Sequence, residues 1–556
     1  MAETVIGTRF KSVFVASLAS MSISYVLILT DNIVAGQFVG EDAVAAMTLV
    51  APIMTLVLFL SYMVADGLAM MFSYAKGKND REQANKYFGM GVISSVVISV
   101  LLTIIFVAFD EKILSLWEIS PQLMTYALEY YHGLMFVAAP AMLNIFFYTI
   151  YVAEGEETIC VQASIAMFVV NMVLDILLGW KIGVVGIGVA TTIGNLVGFL
   201  WHLPHLFSKK CQLRLVKYWN NREFAQSIFY SWYHSMDTLW LTLLPLIFAQ
   251  FTLWRFGEDE LIVVTVINSL LTLLIAIYTG IVDCIQPMVC QYHAEGALHS
   301  VAKTMRLGIG STIAVTLAII LFGMIFAEFL PGLFGVNREE ILYGEAVRAA
   351  RIFLPFTVFL GVTLMFSNYY IYIERLNLGA LIKVLLLLIL PSVGMFAGVY
   401  GLWQMWLGVS CSFIVALLLN KLITRNKFGV LLIDPKNLSR QFSFDTPAVK
   451  EKFPALSKAL EKYFSQTNVV DGRKNFLTAL VSELFHVYAA RQEKLFQLEI
   501  SIIPAEHSMT IIFRDNGSAK NPLEQNLSPN LRQIFGNVRE KKYMIDGDEN
   551  KFVVVV

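Results

Sequence analysis

Charge is scarce in this chain. Only 15% of its 556 residues are Asp, Glu, Lys or Arg, against about a quarter in soluble globular proteins. The charges that are present nearly cancel, to a formal net of −1, so no basic surplus points to a nucleic-acid partner. Cysteine is rare as well. Cys160, Cys211, Cys284, Cys290 and Cys411 form no C-x-x-C pair and mostly stand in apolar runs, which argues for a reduced, non-ligand role and no metal site. No A-x-A cleavage site follows the polar stretch Met1 to Lys11. The apolar run behind it therefore reads as a retained first span and not as a signal peptide.

Apolar residues are abundant. They make up 57% of the chain, with a mean hydropathy of +0.65. About 20 apolar residues cross a bilayer, and twelve such runs are present: 12–37, 44–75, 88–109, 122–152, 158–180, 184–206, 224–254, 261–292, 303–332, 345–373, 379–399 and 401–424. The apolar part is also written twice. Gly40-Glu41-Asp42 returns 217 residues later as Gly257-Glu258-Asp259, and Asp66 returns at the same offset as Asp283. Gly183 and Gly186 return 215 residues later as Gly398 and Gly401. Duplication on this scale is a feature of secondary transporters, which place a substrate site between two related bundles. The expected fold is an α-helical polytopic membrane protein: twelve transmembrane helices in two six-helix lobes, 1–208 and 224–430, joined by a linker, 209–223. A cytoplasmic α+β domain follows at 431–556.

Loop charges give an orientation. Basic residues gather at Arg9 and Lys11, at Lys76 to Lys86, at Lys209 to Arg222, at Lys303 and Arg306, and at Lys421 to Lys427. The alternate loops are mostly acidic, at Glu41-Asp42, Asp110-Glu111, Glu258-Asp259-Glu260 and Glu339-Glu340. The basic set belongs in the cytoplasm, which places both termini there, in the cell (inner) membrane. The acidic loop Glu154-Gly155-Glu156-Glu157 departs from this pattern. Asp31, Asp66, Asp175, Asp237 and Asp283 lie within apolar runs. A charge inside a span is costly and usually faces a cavity or a partner. Asn171 and Asp175 are four apart, on one helix face. With Asp31 and Thr191 they offer the oxygen ligands that hard cations select, although an Asn–Asp pair at this spacing also suits an interhelical hydrogen bond.

The segment Asp31-Asn-Ile-Val-Ala-Gly-Gln-Phe-Val-Gly-Glu-Asp-Ala-Val-Ala-Ala-Met47 followed by Ala51-Pro52-Ile53 resembles the first-span signature of the multidrug and toxic compound extrusion (MATE) family. So do Gln286-Pro287 and the stretch Asn171-Met-Val-Leu-Asp175 with Gly186-Ile-Gly-Val-Ala-Thr191. The resemblance covers about 8–425. It implies a transporter, not an enzyme, that exports small organic compounds in exchange for Na⁺ or H⁺, with no other cofactor. It assigns Asp31, Asn171, Asp175 and Thr191 to the monovalent cation. A central cavity would hold Asp66, Asp237, Asp283 and Gln286, with Tyr278 and Tyr370 placed to stack an organic cation. Acids, not Lys or Arg, occupy the spans, which ranks a lipid-linked precursor flippase of the same superfamily lower.

After about residue 430 no run is long enough to span. A helix is expected over 476–491, strands over 496–503 and 508–514 around a Pro-Ala-Glu-His turn, and a closing strand at Lys551 to Val556. Ser482-Glu483-Leu484, Arg514-Asp515-Asn516-Gly517 and Gly547-Asp548-Glu549-Asn550 resemble motifs of a GHKL-type ATPase domain of the anti-sigma-factor kind. Glu483, Asp515 and Gly517 would be its nucleotide-like positions. Val487 stands where that family has a metal-binding Asn, and the glycine-rich lid is missing. Mg²⁺ needs oxygen ligands, so a degenerate, regulatory domain that meets a cytoplasmic regulator is expected. A sensor kinase lacks the catalytic residues, and a non-transporting receptor would not need buried acids in a duplicated frame.

Overall fold

The computed structural model describes residues 4–556 apart from 115–119, 210, 258, 334–341, 426–427, 468, 492–495, 506–507, 525–526 and 547–548, and apart from the side chains at 24, 25, 28, 29, 32, 41, 111, 236–239, 241, 242, 333 and 546. Among the described residues nine helices are long and apolar enough to cross a membrane, and a pair bent by 52° makes a tenth. Two further helices of 34 and 35 residues complete twelve rods. The first lobe contains α1 (Val5–Phe38), α2 (Glu41–Gly77), α3 (Arg81–Ala108), the bent pair α4 (Pro121–Leu134) and α5 (Ala138–Glu154), α6 (Glu157–Ile182) and α7 (Val184–Leu206). The second contains α8 (Asn221–Arg255), α9 (Leu261–Ala294), α10 (Leu298–Ile325), α11 (Tyr343–Tyr372), α12 (Leu376–Val399) and α13 (Leu402–Thr424).

Local chemistry sets the ends and bends. Thr4, Asp80, Ser120 and Asn220 each accept a backbone N–H of the first turn that follows, satisfying donors a helix start leaves open. Pro140 stands in the first turn of α5, where a missing N–H leaves no bond unmade. In α12 the turn at Leu385–Ile389 widens to a π turn, just ahead of Pro391, which cannot bond the carbonyl four residues back. Gly40 and Gly257, at φ 124° and 118°, enter α2 and α9 alike, a backbone region closed to most side chains. Gly183 and Gly401 do the same for α7 and α13, at φ 69° and 149°. By structural role Gly183 therefore matches Gly401, and the 215-residue pairing of Gly183 with Gly398 is corrected by three residues.

The lobes are fused at one end. One apolar cluster joins first-lobe residues such as Leu68 and Phe72 to second-lobe residues such as Ile285, Met288, Tyr369 and Ile382. A separate cluster serves only the other end of the second lobe, with Phe248, Ile267, Phe353 and Trp406. On α2, Val64 to Gly77 are buried without a break, and on α11 so are Thr363 to Ile373. Half-exposed residues recur through the other halves of these helices. The molecule is thus closed on the side that carries the tail. The acidic loop that departs from the charge pattern lies here. Glu154 pairs with Arg81 and with Lys76 at 3.4 Å, and Glu156 faces His205 at 3.4 Å. Glu154 and Glu156 are thus met by basic side chains at the ends of neighbouring helices. Glu258 and Glu339-Glu340 lie outside the described residues.

The tail is a five-stranded antiparallel sheet in the order β1 (Phe442–Pro447), β2 (Gln497–Pro504), β3 (Met509–Asp515), β5 (Glu549–Val555), β4 (Glu540–Asp546). Helices α14 (Phe453–Ser465) and α15 (Asp471–Ala489) cover one face through Leu456, Leu480, Leu484 and Phe485. The expected helix and three strands are in place within a few residues at each end. β1 and β4 were not foreseen, and Glu506 and His507 of the expected turn lie outside the described residues. Replacing Glu154 by Gln strands two bases that share one carboxylate. It is expected to cost about 3 kcal/mol, seen as a lower unfolding midpoint in detergent; an unchanged midpoint would show that Lys76 and Arg81 do not depend on it.

Candidate functional site

Between the lobes, on the side away from the tail, lies a cavity of about 680 Å³. Its wall includes Asp31 on α1, Tyr62 and Asp66 on α2, Thr191 on α7, His234 on α8 and Asp283 on α9. The repeat-related acids Asp66 and Asp283 thus face one space, as their symmetry suggests. Both also line a small recess beneath it with Gln286 and Ser73.

In the first lobe, α1, α6 and α7 bring Asp31, Asn171, Asp175 and Thr191 together. The carboxyls of Asp31 and Asp175 are neighbours, and Asn171 Nδ2 lies 3.5 Å from Thr191 Oγ1. Thr191 also donates to Ile187 O at 3.1 Å. Asp175 and Asn171 are fully buried. Oδ1 of Asp31, both oxygens of Asp175 and Oδ1 of Asn171 are buried acceptors that no amide, hydroxyl or cationic donor reaches. Buried oxygens without donors are costly, and four of them from three side chains form a group of hard ligands. Among the described residues no three of His, Cys, Asp or Glu form a metal cluster. Asn195 and His202 follow Thr191 on the same helix and line the cavity too; spacings of four and eleven residues could have revealed that shared face.

At the floor, the lobes are tied by polar side chains. Asp66 Oδ2 and His234 Nδ1 are 3.0 Å apart, and Tyr372 OH is 3.0 Å from His234 Nε2. Gln286 Nε2 donates to Asp66 O at 3.3 Å. Behind them Lys383, fully buried on α12, donates to His234 O at 3.0 Å and to Asn368 Oδ1 at 2.9 Å. The spans therefore hold a buried lysine as well as acids, and a lone Lys in an apolar run was the missed signal. It does not line the cavity.

Two expected cavity residues are elsewhere. Tyr278 is buried in the second lobe, donating to Thr357 O at 3.0 Å. Tyr370 is buried and donates to Asn420 Oδ1 at 2.8 Å. A tyrosine hydroxyl seeks a partner when buried, and these two found theirs inside the bundle, away from the cavity wall. Asp237 lies on α8, and its side chain falls outside the described residues.

The tail positions Glu483, Asp515 and Gly517 are tied up locally. Asp515 Oδ1 accepts from Arg491 at 3.3 Å, Asn550 at 3.0 Å and Gly517 N at 3.0 Å. Glu483 accepts from Ser528 Oγ at 2.7 Å, and Ser528 caps the helix α16 (Pro529–Gly536). The polar atoms of these positions are thus engaged by Arg491, Asn550 and Ser528. Gly547 and Asp548 lie outside the described residues.

The MatE family model matches residues 16–177 and 227–394, more than half of the chain. The probable multidrug resistance protein YoeA of Bacillus subtilis (strain 168) is 26% identical over 216 residues, 36% of this chain and 46% of that protein. The matched stretch thus spans about half of that relative. Among solved structures, a multidrug resistance MATE transporter of the MOP superfamily in an outward-facing conformation superposes with a TM-score of 0.70 at 20% identity, covering 75% of this chain and 95% of the other. A MOP-superfamily transporter from Pyrococcus furiosus, described as having a binding pocket of reversed polarity that suggests a different function, superposes with 0.71 at 20% identity, covering 78% and 98%. At such identities the superpositions establish the fold alone. Full-length purified protein is expected to release no phosphate from ATP. Asp515→Ala is expected to loosen the tail by about 2 kcal/mol, the scale of a lost charged hydrogen bond, read by limited proteolysis. Mg²⁺-dependent turnover abolished by Asp515→Ala would reverse this assignment.

Proposed function

The chain belongs to the MATE family of membrane transporters, and from that premise we propose that it is a secondary antiporter exporting organic compounds, cationic or amphipathic, in exchange for Na⁺ or H⁺. The observation that carries this reading is the cavity between the two repeats, closed toward the tail, with Asp31, Asp66 and Asp283 on its wall. An acid-lined, low-dielectric cleft concentrates cations. Tyr62, on the same wall, offers a ring face to an organic cation. We place the tail in the cytoplasm, where the basic loops belong, so the cavity faces outside.

The proposed coupling site is Asp31, Asn171, Asp175 and Thr191. Two neighbouring carboxylates repel when both are charged. A cation among them relieves that repulsion and favours tighter packing of α1 against α6. Packing of α1 in turn shapes the cavity, since Asp31 lines it. A coupling ion does work only by binding the two states of the transporter unequally. Substrate and ion then compete for the same acidic wall, which is the basis of exchange. A phosphate-carrying lipid substrate would need basic groups on the wall. The wall carries His202 and His234 but, among the described residues, no Lys or Arg, and Lys383 is committed to carbonyl oxygens behind it, so the flippase reading ranks below export.

Asp31→Asn and Asp175→Asn are each expected to abolish ion-driven export while leaving membrane insertion intact. Proteoliposomes loaded with an organic cation, under a Na⁺ or a pH gradient, provide the check and name the ion. Wild-type export by either variant under a limiting gradient would remove that residue from the site. In the same assay Tyr278→Phe and Tyr370→Phe are expected to stay within about twofold of wild type, because each loses a bond of only about 1 kcal/mol away from the cavity. Asp66→Asn, on the wall, is expected to lose about tenfold or more for cationic compounds.

A further inference from the structure

The tail sheet has two faces. Leu498, Ile500, Phe513 and Phe552 turn toward α14 and α15. Side chains alternate along a strand, so the residues between them turn the other way. There the strand register sets Asp445, Glu499, Arg514 and Lys551 in one row across four strands. The row reads two acids, then two bases. Ile512 and Val553, beside it, join the apolar cluster of the transporter itself.

The loop and first turn between α9 and α10 meet this row in matching order. Lys303 faces the acids, 2.5 Å from Asp445 and 3.5 Å from Glu499. Glu295 faces the bases, pairing with Arg514 and, at 2.5 Å, with Lys551. Ser300 sits between, donating to Glu499 at 3.1 Å and accepting from Arg514 at 3.3 Å. Glu499 and Arg514 are fully buried. Burial alone would raise the Glu499 carboxyl, but the charges of Arg514 and Lys303 outweigh it and hold it below its usual range. Removing one member of such a set leaves an uncompensated buried charge.

A second joint involves both lobes. Glu549 accepts from Arg9 on α1 at 3.0 Å and from Tyr292 on α9 at 3.3 Å. Arg9 also reaches Gln291 at 3.4 Å. One tail carboxylate thus binds the tail-side ends of a first-lobe and a second-lobe helix, at the end where the lobes are fused.

We propose that this sheet face is a docking surface for the transporter's own tail-side ends, and that it clasps the two lobes together there. Holding that end shut favours the state whose cavity opens away from the tail, and opening toward the tail must part Arg9 from Glu549 and Tyr292. The proposal rests on the antiport reading above, in which the transporter has two states, and gives the tail a site of action.

The test uses full-length protein in nanodiscs, spin-labelled through cysteines introduced at Lys78 and Arg375, both exposed, in a Cys411→Ser background. These positions follow α2 and α11, one in each lobe. Wild type is expected to give a single short distance. Glu549→Gln and Arg9→Gln are expected to raise a longer-distance population by roughly threefold or more, the shift a lost differential contact produces. Glu295→Gln, which strands Arg514 and Lys551 at the other joint, should do the same. Unchanged distances in Glu549→Gln and Arg9→Gln, in protein that elutes as wild type does, would overturn the clasp. Distances report the clasp independently of transport, so an active Asp31→Asn variant would refute the coupling site and leave this result standing.

Discussion

A carboxyl packed between membrane helices needs a polar partner, and the partner that Asp66 finds is in the other lobe. Its bond to His234, with Tyr372 on the far ring nitrogen, sets the floor of the cavity. Below that floor α2, α9 and α11 are packed without exposed residues over several turns. Above it lies the cavity, whose largely apolar wall of residues such as Met47, Leu58 and Ile275 carries a few acids. This joint stands where the tightly packed end of the bundle meets the cavity.

The duplication makes the joint possible and then departs from symmetry. Asp66 and Asp283 hold equivalent places, yet Asp66 is bound to an imidazole and to Gln286 through its backbone, while the first-lobe oxygen cluster of Asp31, Asn171 and Asp175 has no counterpart among the described residues of the second lobe. The second lobe instead buries Lys383 against carbonyl oxygens of α8, next to the widened turn of α12. Two bundles built to one plan therefore differ in what they bury: one holds a group of carboxyl and amide oxygens, the other a lysine and an imidazole.

The tail follows the same electrostatic rule at the membrane's edge. Its buried acids and bases are arranged in the order that the loop between α9 and α10 can satisfy, and a sheet that would otherwise expose a row of charges becomes a fitted surface. The motif that resembles a nucleotide site is used differently. Arg514 serves the docking face and Asp515 the interior bonds of Arg491 and Asn550, because adjacent strand residues point to opposite faces.

Much of this was legible in the residues alone. Hydropathy fixed twelve spans because a bilayer demands a minimum apolar length. The repeat offsets announced two lobes. Asp31, Asp66, Asp175 and Asp283 stood out because an acid in a span is rare unless it has work to do, and Asn171 with Asp175 shared a helix face by spacing. What spacing could not settle was helix rotation and partner choice. Tyr278 and Tyr370 are as aromatic as Tyr62, but only Tyr62 turns to the cavity. His234 meets Asp66 across 168 residues of chain, and the alternating charges of the tail read as a wetted surface until another surface is laid against them. Local sequence sets what each segment is, through periodicity and the cost of burying charge; which segment answers which is settled only when the lobes and the tail pack together, since opposite charges far apart in sequence meet by tertiary geometry alone.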